Sequence, residues 1–449
     1  MNITDALVGI VLSLKNTKFD SDVIFQSKRC LLDYIGVTYA GANILKNSNK
    51  KIDYVFDCKD KTTSLLGYGK KSSLINSLFI NGFSSHVAEL DDGMNSGIIH
   101  PGSPVISSLL PFAEENSIVG LKLLNSIVIG YEVTSLLANI IQPSHKLKGY
   151  HATGTCGMIG GAIAIATMLD YSEEEIKKTI SNAVISASGM LKVLEDNSEL
   201  KPYNVAKAAL NAGVAAIMAK SGLNVPNDVF SGESGFLNIF SNKTNLDLLT
   251  NYNTNDLYIN KIYVKPYSAC RYCHPSIDAS LMIRNDKKYS LSLVSEIVVH
   301  TYELAVKNHD HTFIENVSSA KMSIPFSIAV SLFTGNAGIL EYSDEYISNE
   351  EIKSLMKKIK VFSSDEYTRS FPQKSTTSVE VVFLDGTRLL RTIDFPRGEP
   401  ENPLTKEELE YKFSSLMRFS DISEDRISEL INCIWDIEKN AKLLYGILN

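Results

Sequence analysis

Cysteine is scarce and scattered. Six occur in 449 residues (Cys30, Cys58, Cys156, Cys270, Cys273 and Cys433), without the ladder of spacings that staples small secreted domains. Basic runs are missing and the formal net charge is -7, which argues against a nucleic-acid partner. The apolar stretch 6–14 has no basic leader, follows Asp5, and has no small-residue cleavage site behind it, so it does not read as a signal peptide. The longest strongly apolar run, 155–169, falls short of the roughly 20 residues that span a bilayer. The expectation is a cytoplasmic chain with no membrane partner. The glycines Gly154, Gly157, Gly160 and Gly161 follow no β-rich segment and spell neither GxGxxG nor a P-loop. No Ser or Cys sits in a nucleophile elbow.

What is present is ordinary in bulk: 44% hydrophobic and 21% charged residues, enough chain for two domains or one large domain with an insert. The first half reads as helix. Ser21 can cap a helix through Val23, Cys30, Leu31 and Ile35. Residues 74–90 form another. Residues 118–141 are too apolar for a surface helix and read as buried on most sides. Residues 153–169, rich in small side chains, read as a central helix. Ser172 caps the next one, with Glu173 to Glu175 in its first turn, and Lys201-Pro202 opens a helix that runs to 220.

From Tyr263 the texture changes. Residues 296–302 and 358–363 are β-branched and short. Residues 378–384 and 387–393 flank Asp385-Gly386, the signature of a two-residue hairpin turn. Helices intervene at 275–284 and 323–333. After Pro396-Arg397-Gly398 the chain turns helical again, with a Thr405-x-x-Glu408 capping box and helical periodicity over 422–448. The expected fold class is mainly α: a large all-helical domain over 1–262, an inserted smaller α+β domain over 263–400, and helices over 401–449 that return to the first domain.

One stretch concentrates polar chemistry, His86 to Ser103. Glu89, Asp91 and Asp92 precede His100-Pro101-Gly102-Ser103 across a run containing Gly93 and Gly97. Helical segments flank it, and loops held by rigid elements are where chemistry is placed. The plainer alternative is a solvated acidic loop with a capping histidine. Four further basic positions stand out: His151 after Tyr150, Lys201 at a helix start, Lys265 in Val264-Lys265-Pro266-Tyr267, and His274. A lysine or histidine at a loop-to-helix junction is placed to hold carboxylates. Cys270-x-x-Cys273-His274 is formally a haem-attachment motif, but the export signal it needs is absent. No second ligand pair suits zinc. No metal is expected.

The run His86-Val87-Ala88-Glu89-Leu90-Asp91-Asp92, then His100-Pro101-Gly102-Ser103, Tyr150-His151-Ala152-Thr153-Gly154-Thr155, Lys201-Pro202, Lys265-Pro266-Tyr267 and His274-Pro275 resembles the MmgE/PrpD family, in the family's order. That family includes 2-methylcitrate dehydratase, cis-aconitate decarboxylase and iminodisuccinate epimerase. The resemblance implies a homodimer of helical domains, each with an α+β lid, and a site that works without a cofactor on a small polycarboxylate. It places the active-site histidines on His100 and His151, the lysines on Lys201 and Lys265, and the loop acids among Glu89, Asp91 and Asp92. Glu89, Tyr150, Cys270 and His274 fall among the substrate-binding positions. Two positions depart from the decarboxylase pattern: Cys270, where that enzyme has histidine, and Phe326, where it has tyrosine. The chain also looks short beside dehydratases and decarboxylases.

The implied chemistry is loss of a proton, or of CO2, beside a carboxylate. Lys201 and Lys265 would stabilise the developing charge, His100 or His151 would be the base, and Asp91 or Asp92 would orient an imidazole. Dehydration or epimerisation is expected ahead of decarboxylation. The rival is a carboxylate-binding protein without catalysis.

Overall fold

The small-residue stretch forms one helix, Ala152–Met168, and every residue in it is buried. It packs against the helices Leu121–Ile141, Lys201–Met218, Gly102–Glu115 and Glu173–Ser186. A methyl group on Gly160 would lie 1.8 Å from Thr134 Oγ1 and 2.6 Å from the Gly130 carbonyl, so only glycine permits this crossing. The structure, a computed structural model, describes residues 2–48, 52, 61–195, 198–438 and 444–448.

The chain divides into two units. One comprises Met1–Glu195, Leu200–Ile262 and Thr405–Asn449, and the other Asp196–Glu199 with Tyr263–Leu404. Among the described residues, the first has helices and one short antiparallel pair, Thr63–Leu65 with Lys70–Ser72. Helix Leu121–Ile141 is longer than the 155–169 run and, by length and composition, could cross a membrane. Yet 89% of its most apolar window is buried in the protein, as a core helix is. It starts after Gly120, three residues later than the periodicity suggests, where the backbone takes φ +68°.

Capping follows the local sequence closely. Ser172 with Glu175, and Thr405 with Glu408, form reciprocal capping boxes. One cap differs. Asp20, not Ser21, accepts from the amides of Asp22 and Val23, because a carboxylate one residue earlier captures both free N–H groups. Helix Lys406–Phe419 packs on Ser21–Asn47, with Glu424–Trp435 beside it. Of the expected 422–448 helix, Glu424–Trp435 and Leu444–Ile447 are observed, and 439–443 lie outside the described residues.

The second unit holds a four-stranded sheet in the order Ile359–Ser363, Val294–Thr301, Thr377–Phe383, Arg388–Ile393. The first pair is parallel and the other two are antiparallel, with Val299 opposite Val379 and Thr377 opposite Ile393. Helix His274–Arg284 packs on the last two strands, and Ile324–Thr334 packs on that helix. The hairpin turn corrects the two-residue expectation. Phe383 pairs with Thr387, so Leu384, Asp385 and Gly386 form a three-residue loop, with Gly386 at φ +84°. That is the type I turn closed by a left-handed residue, which suits Asp-Gly equally well.

Candidate active site

The acidic loop is not solvated. Glu89, Asp91 and Asp92 are each 4–5% exposed, which overturns the plainer reading of this stretch. Helix Leu74–Val87 delivers His86 in its last turn. Glu89 follows with φ +55°, a left-handed conformation that a non-glycine residue adopts at a cost. The chain then makes a small closed turn in which Met94 and Ile99 exchange backbone hydrogen bonds of 2.9 and 3.3 Å. It re-enters helix at Gly102.

Asp91 and Asp92 divide the work. Asp91 Oδ2 accepts from His86 Nδ1 at 2.7 Å and from the Ser103 hydroxyl at 3.0 Å, and lies 3.6 Å from His100 Nδ1. Asp92 points the other way. It accepts from the Tyr131 hydroxyl at 2.6 Å and from the Gly102 amide at 2.9 Å, at the start of helix Gly102–Glu115. A methyl group on Gly102 would lie 2.8 Å from both Asp92 oxygens, so glycine is needed for this approach. Burial pushes the Asp92 carboxyl up to about 7, against the opposing pull of Tyr131. From the returning helix, Lys412 pairs with Asp33 at 2.5 Å and donates to the Leu90 carbonyl at 3.0 Å, fixing the loop from behind.

Three imidazoles gather in front of the loop. The His86 ring lies 5.1 Å from that of His100 and 6.0 Å from that of His151, centroid to centroid. Hydrogen-bond partners assign two of the tautomers. His100 Nδ1 is 2.7 Å from the Asp92 carbonyl, which can only accept, so Nδ1 carries the proton and Nε2 is left basic in the neutral ring. Asn204 Nδ2 donates to the Met190 carbonyl at 3.2 Å, which fixes the amide's orientation. The same nitrogen lies 3.3 Å from His151 Nδ1, which therefore accepts and leaves the proton on Nε2. Burial, then the neighbouring His86, Lys201 and His100, hold the His151 pKa well below the usual imidazole range. His151 is thus a neutral hydrogen-bond donor. Lys201, at the start of helix Lys201–Met218, is paired with Glu89, and both side chains are largely buried.

The other expected residues have the following surroundings within their own units. Tyr150 stacks on His145 at 5.3 Å and meets Phe240 edge-on at 4.8 Å. In the second unit, Lys265 is fully buried. Cys270 is partly exposed, with its amide donating to the Lys321 carbonyl at 2.8 Å. His274 is buried and both ring nitrogens are engaged: Arg271 donates to Nδ1 at 3.0 Å, and Nε2 donates to the Ala269 carbonyl at 3.2 Å. Phe326 packs against Tyr342 at 5.6 Å. The sequence reading passed over His86, Asn204, Tyr131 and Lys412 as site-building residues. For His86 a signal existed, since it stands five positions before Asp91. The other three are joined to the site only by the fold.

Residues 5–249 match the MmgE/PrpD N-terminal domain, and residues 267–436 match the MmgE/PrpD C-terminal domain. The chain belongs to the MmgE/PrpD family. It is 22% identical to the cis-aconitate decarboxylase of Mus musculus over 99% of this chain and 94% of that protein. It is also 22% identical to the cis-aconitate decarboxylases of Homo sapiens, over 97% of this chain and 92% of that one, and of Aspergillus terreus, over 95% and 91%. Length therefore does not set the chain apart from decarboxylases of the MmgE/PrpD family. The family's C-terminal domain takes in the helices Lys406–Phe419 and Glu424–Trp435, which pack in the helical unit.

Proposed function

We propose that this chain is a cofactor-independent lyase or isomerase that removes a proton from a carbon next to a carboxylate of a small polycarboxylate. The supporting observation is the imidazole cluster with assigned tautomers beside the buried Glu89–Lys201 pair. His100 Nε2 is the base. It takes the proton, and the electron pair of the broken C–H bond moves onto the adjacent carboxylate. Lys201 holds a substrate carboxylate, and Lys265, by the family pattern, holds a second. His151, a neutral donor, hydrogen-bonds the oxygen on which charge grows, at no cost of moving a charge. The intermediate then either expels a hydroxyl that leaves as water with the proton His100 Nε2 carries, or takes a proton from solvent on its other face while His100 releases its own.

Cys270 and Phe326 favour dehydration or epimerisation, since both replace hydrogen-bonding groups of the decarboxylase pattern. Decarboxylation is the second reading, favoured by relatives of that name over nearly the whole chain. There the C–CO2 bond breaks instead, its electron pair stays on the substrate, and an imidazole that has taken a proton from solvent delivers it to the carbon. One experiment separates these outcomes. The protein is incubated in D2O with methylcitrate, citrate, cis-aconitate and iminodisuccinate, and each is followed by NMR. Exchange or inversion alone indicates an epimerase, a vinyl signal from a hydroxy acid a dehydratase, and itaconate a decarboxylase. Tight binding with no exchange and no product would leave a carboxylate-binding protein and end the enzymatic reading.

A further inference from the structure

The CxxCH motif has its imidazole nitrogens engaged by Arg271 and Ala269, yet it holds two thiols one turn apart. The Cys273 amide donates to the Cys270 carbonyl at 2.9 Å, and Arg271–Cys273 forms a 3-10 turn that runs into helix His274–Arg284. A turn closed by that bond keeps its end Cα atoms within about 7 Å. Disulfides span roughly 4.4–6.8 Å between Cα atoms, so the two cysteines can be joined without unwinding the helix. They differ in access. Cys270 is partly exposed, whereas Cys273 is buried in the apolar core of the second unit. A reactive thiol pair needs this division: one sulfur that a small molecule reaches, and a shielded one beside it that resolves the adduct. Among the described residues, the other thiols are not so placed. Burial pushes the Cys30 and Cys156 thiols up to about 12, so neither offers a thiolate near neutral pH, and Cys433 is also buried.

We propose that Cys270 and Cys273 are a redox modification site: a low-molecular-weight disulfide oxidises them to an intramolecular disulfide, and polycarboxylate binding weakens when it forms. The weakened binding rests on the family pattern, which counts Cys270 among the substrate-binding positions. The disulfide chemistry stands apart from that reading. The Cys270 thiolate attacks one sulfur of the small disulfide, whose S–S bond breaks and whose other sulfur leaves as a thiolate. The Cys273 thiolate then attacks Cys270 Sγ in the mixed disulfide, and the second small thiolate leaves. The protons of the two cysteines pass through water to the two small thiolates, and two electrons have moved from the protein to the reagent. Cys270 thereby loses its S–H, and its sulfur is drawn to a bond of about 2.05 Å with Cys273 Sγ. An excess of small thiol runs both steps backwards, so the pair rests reduced in a reducing environment.

Folded, full-length protein treated with glutathione disulfide tests this by mass spectrometry. The expected product is lighter by two hydrogens and retains no glutathione. Trypsin cuts after Arg271 and not at Lys265-Pro266, so once free thiols are blocked, peptides 262–271 and 272–284 should stay joined until a reductant parts them. Cys273→Ser should stop halfway and keep one glutathione on Cys270. An unreactive Cys270, a glutathione that persists on Cys270 of the unsubstituted protein, or a disulfide joining other cysteines in its place would each overturn the inference. Calorimetry with tricarballylate, an unreactive tricarboxylate, reads the consequence. The oxidised protein should bind about tenfold more weakly than the reduced protein, as loss of one polar contact allows, and dithiothreitol should restore the difference. Equal binding by the two forms would overturn the effect on the site. Failure of the reduced protein to bind either tricarballylate or cis-aconitate would end the polycarboxylate reading and that effect together, while the mass and peptide results would stand.

Discussion

Asp91 and Asp92 are neighbours in the chain and face opposite ways. Asp91 holds His86 at 2.7 Å on the imidazole side, and Asp92 holds the Tyr131 hydroxyl at 2.6 Å inside the helical unit. The pair therefore separates a contact within the imidazole cluster from one inside the helical unit, and the two substitutions should give different phenotypes.

Asp92 should govern stability against pH. Its carboxyl titrates near 7 in the folded protein, raised by burial from an ordinary value of 3.8. A raised pKa gives stability that is fully present below the unfolded value and is lost as pH rises through the folded one. Denaturant midpoints should fall between pH 4 and 8 by a share on the order of 4 kcal/mol from this group. Asp92→Asn should flatten that slope, whereas Asp91→Asn should leave it and lower turnover. An unchanged slope in Asp92→Asn would show that the carboxyl is ionised throughout.

His100→Ala should lower the rate by roughly 10²–10⁴-fold, the usual contribution of a proton-transfer group, and His151→Ala by roughly 10²–10³-fold, the usual cost of removing a donor to developing charge. Asn204→Ala should lower kcat more than it raises KM, because His151 would lose the partner that fixes its tautomer. Steady-state kinetics decide it. Full activity in both histidine variants would place the base elsewhere.

The lysines should act on binding. Lys201→Ala and Lys265→Ala should raise KM for a polycarboxylate, since each would remove a partner from a desolvated charge. A pure kcat effect with unchanged KM would contradict carboxylate holding.

A second copy of the chain should cover apolar surface on the helical unit. Ile185, Met190, Leu200, Tyr203, Ile217 and Leu223 are all exposed there, and large exposed apolar side chains mark interaction surfaces where they adjoin. Light scattering at micromolar concentration should give a homodimer. A monomer would leave this surface to another partner.

The CxxCH motif should bind neither zinc nor haem. His274 has both nitrogens engaged by Arg271 and Ala269, so it has no lone pair to offer a metal. Elemental analysis and an absorption spectrum check this, and stoichiometric zinc or a Soret band would refute it.

The sequence by itself determined what depends on near neighbours. Apolar spacing marked the helices, Ser172–Glu175 and Thr405–Glu408 marked their starts, and alternation marked the strands around Asp385-Gly386. Small residues marked the central helix, because Gly160 has to admit Thr134. Where two local choices lay close in energy, the fold decided between them. Asp20 captured the cap that Ser21 could have made, and the hairpin closed over three residues instead of two. The site was less legible. His100, His151, Lys201 and the loop acids could be named, yet which acid meets which imidazole depends on the turn at Glu89 and on helices far apart in sequence. Tyr131 claims Asp92, Asn204 sets the tautomer of His151, and Lys412 fixes Leu90 across 322 residues of chain. Side-chain partners in a buried cluster are chosen by desolvation and packing, and these act on atoms brought together only when the chain has folded.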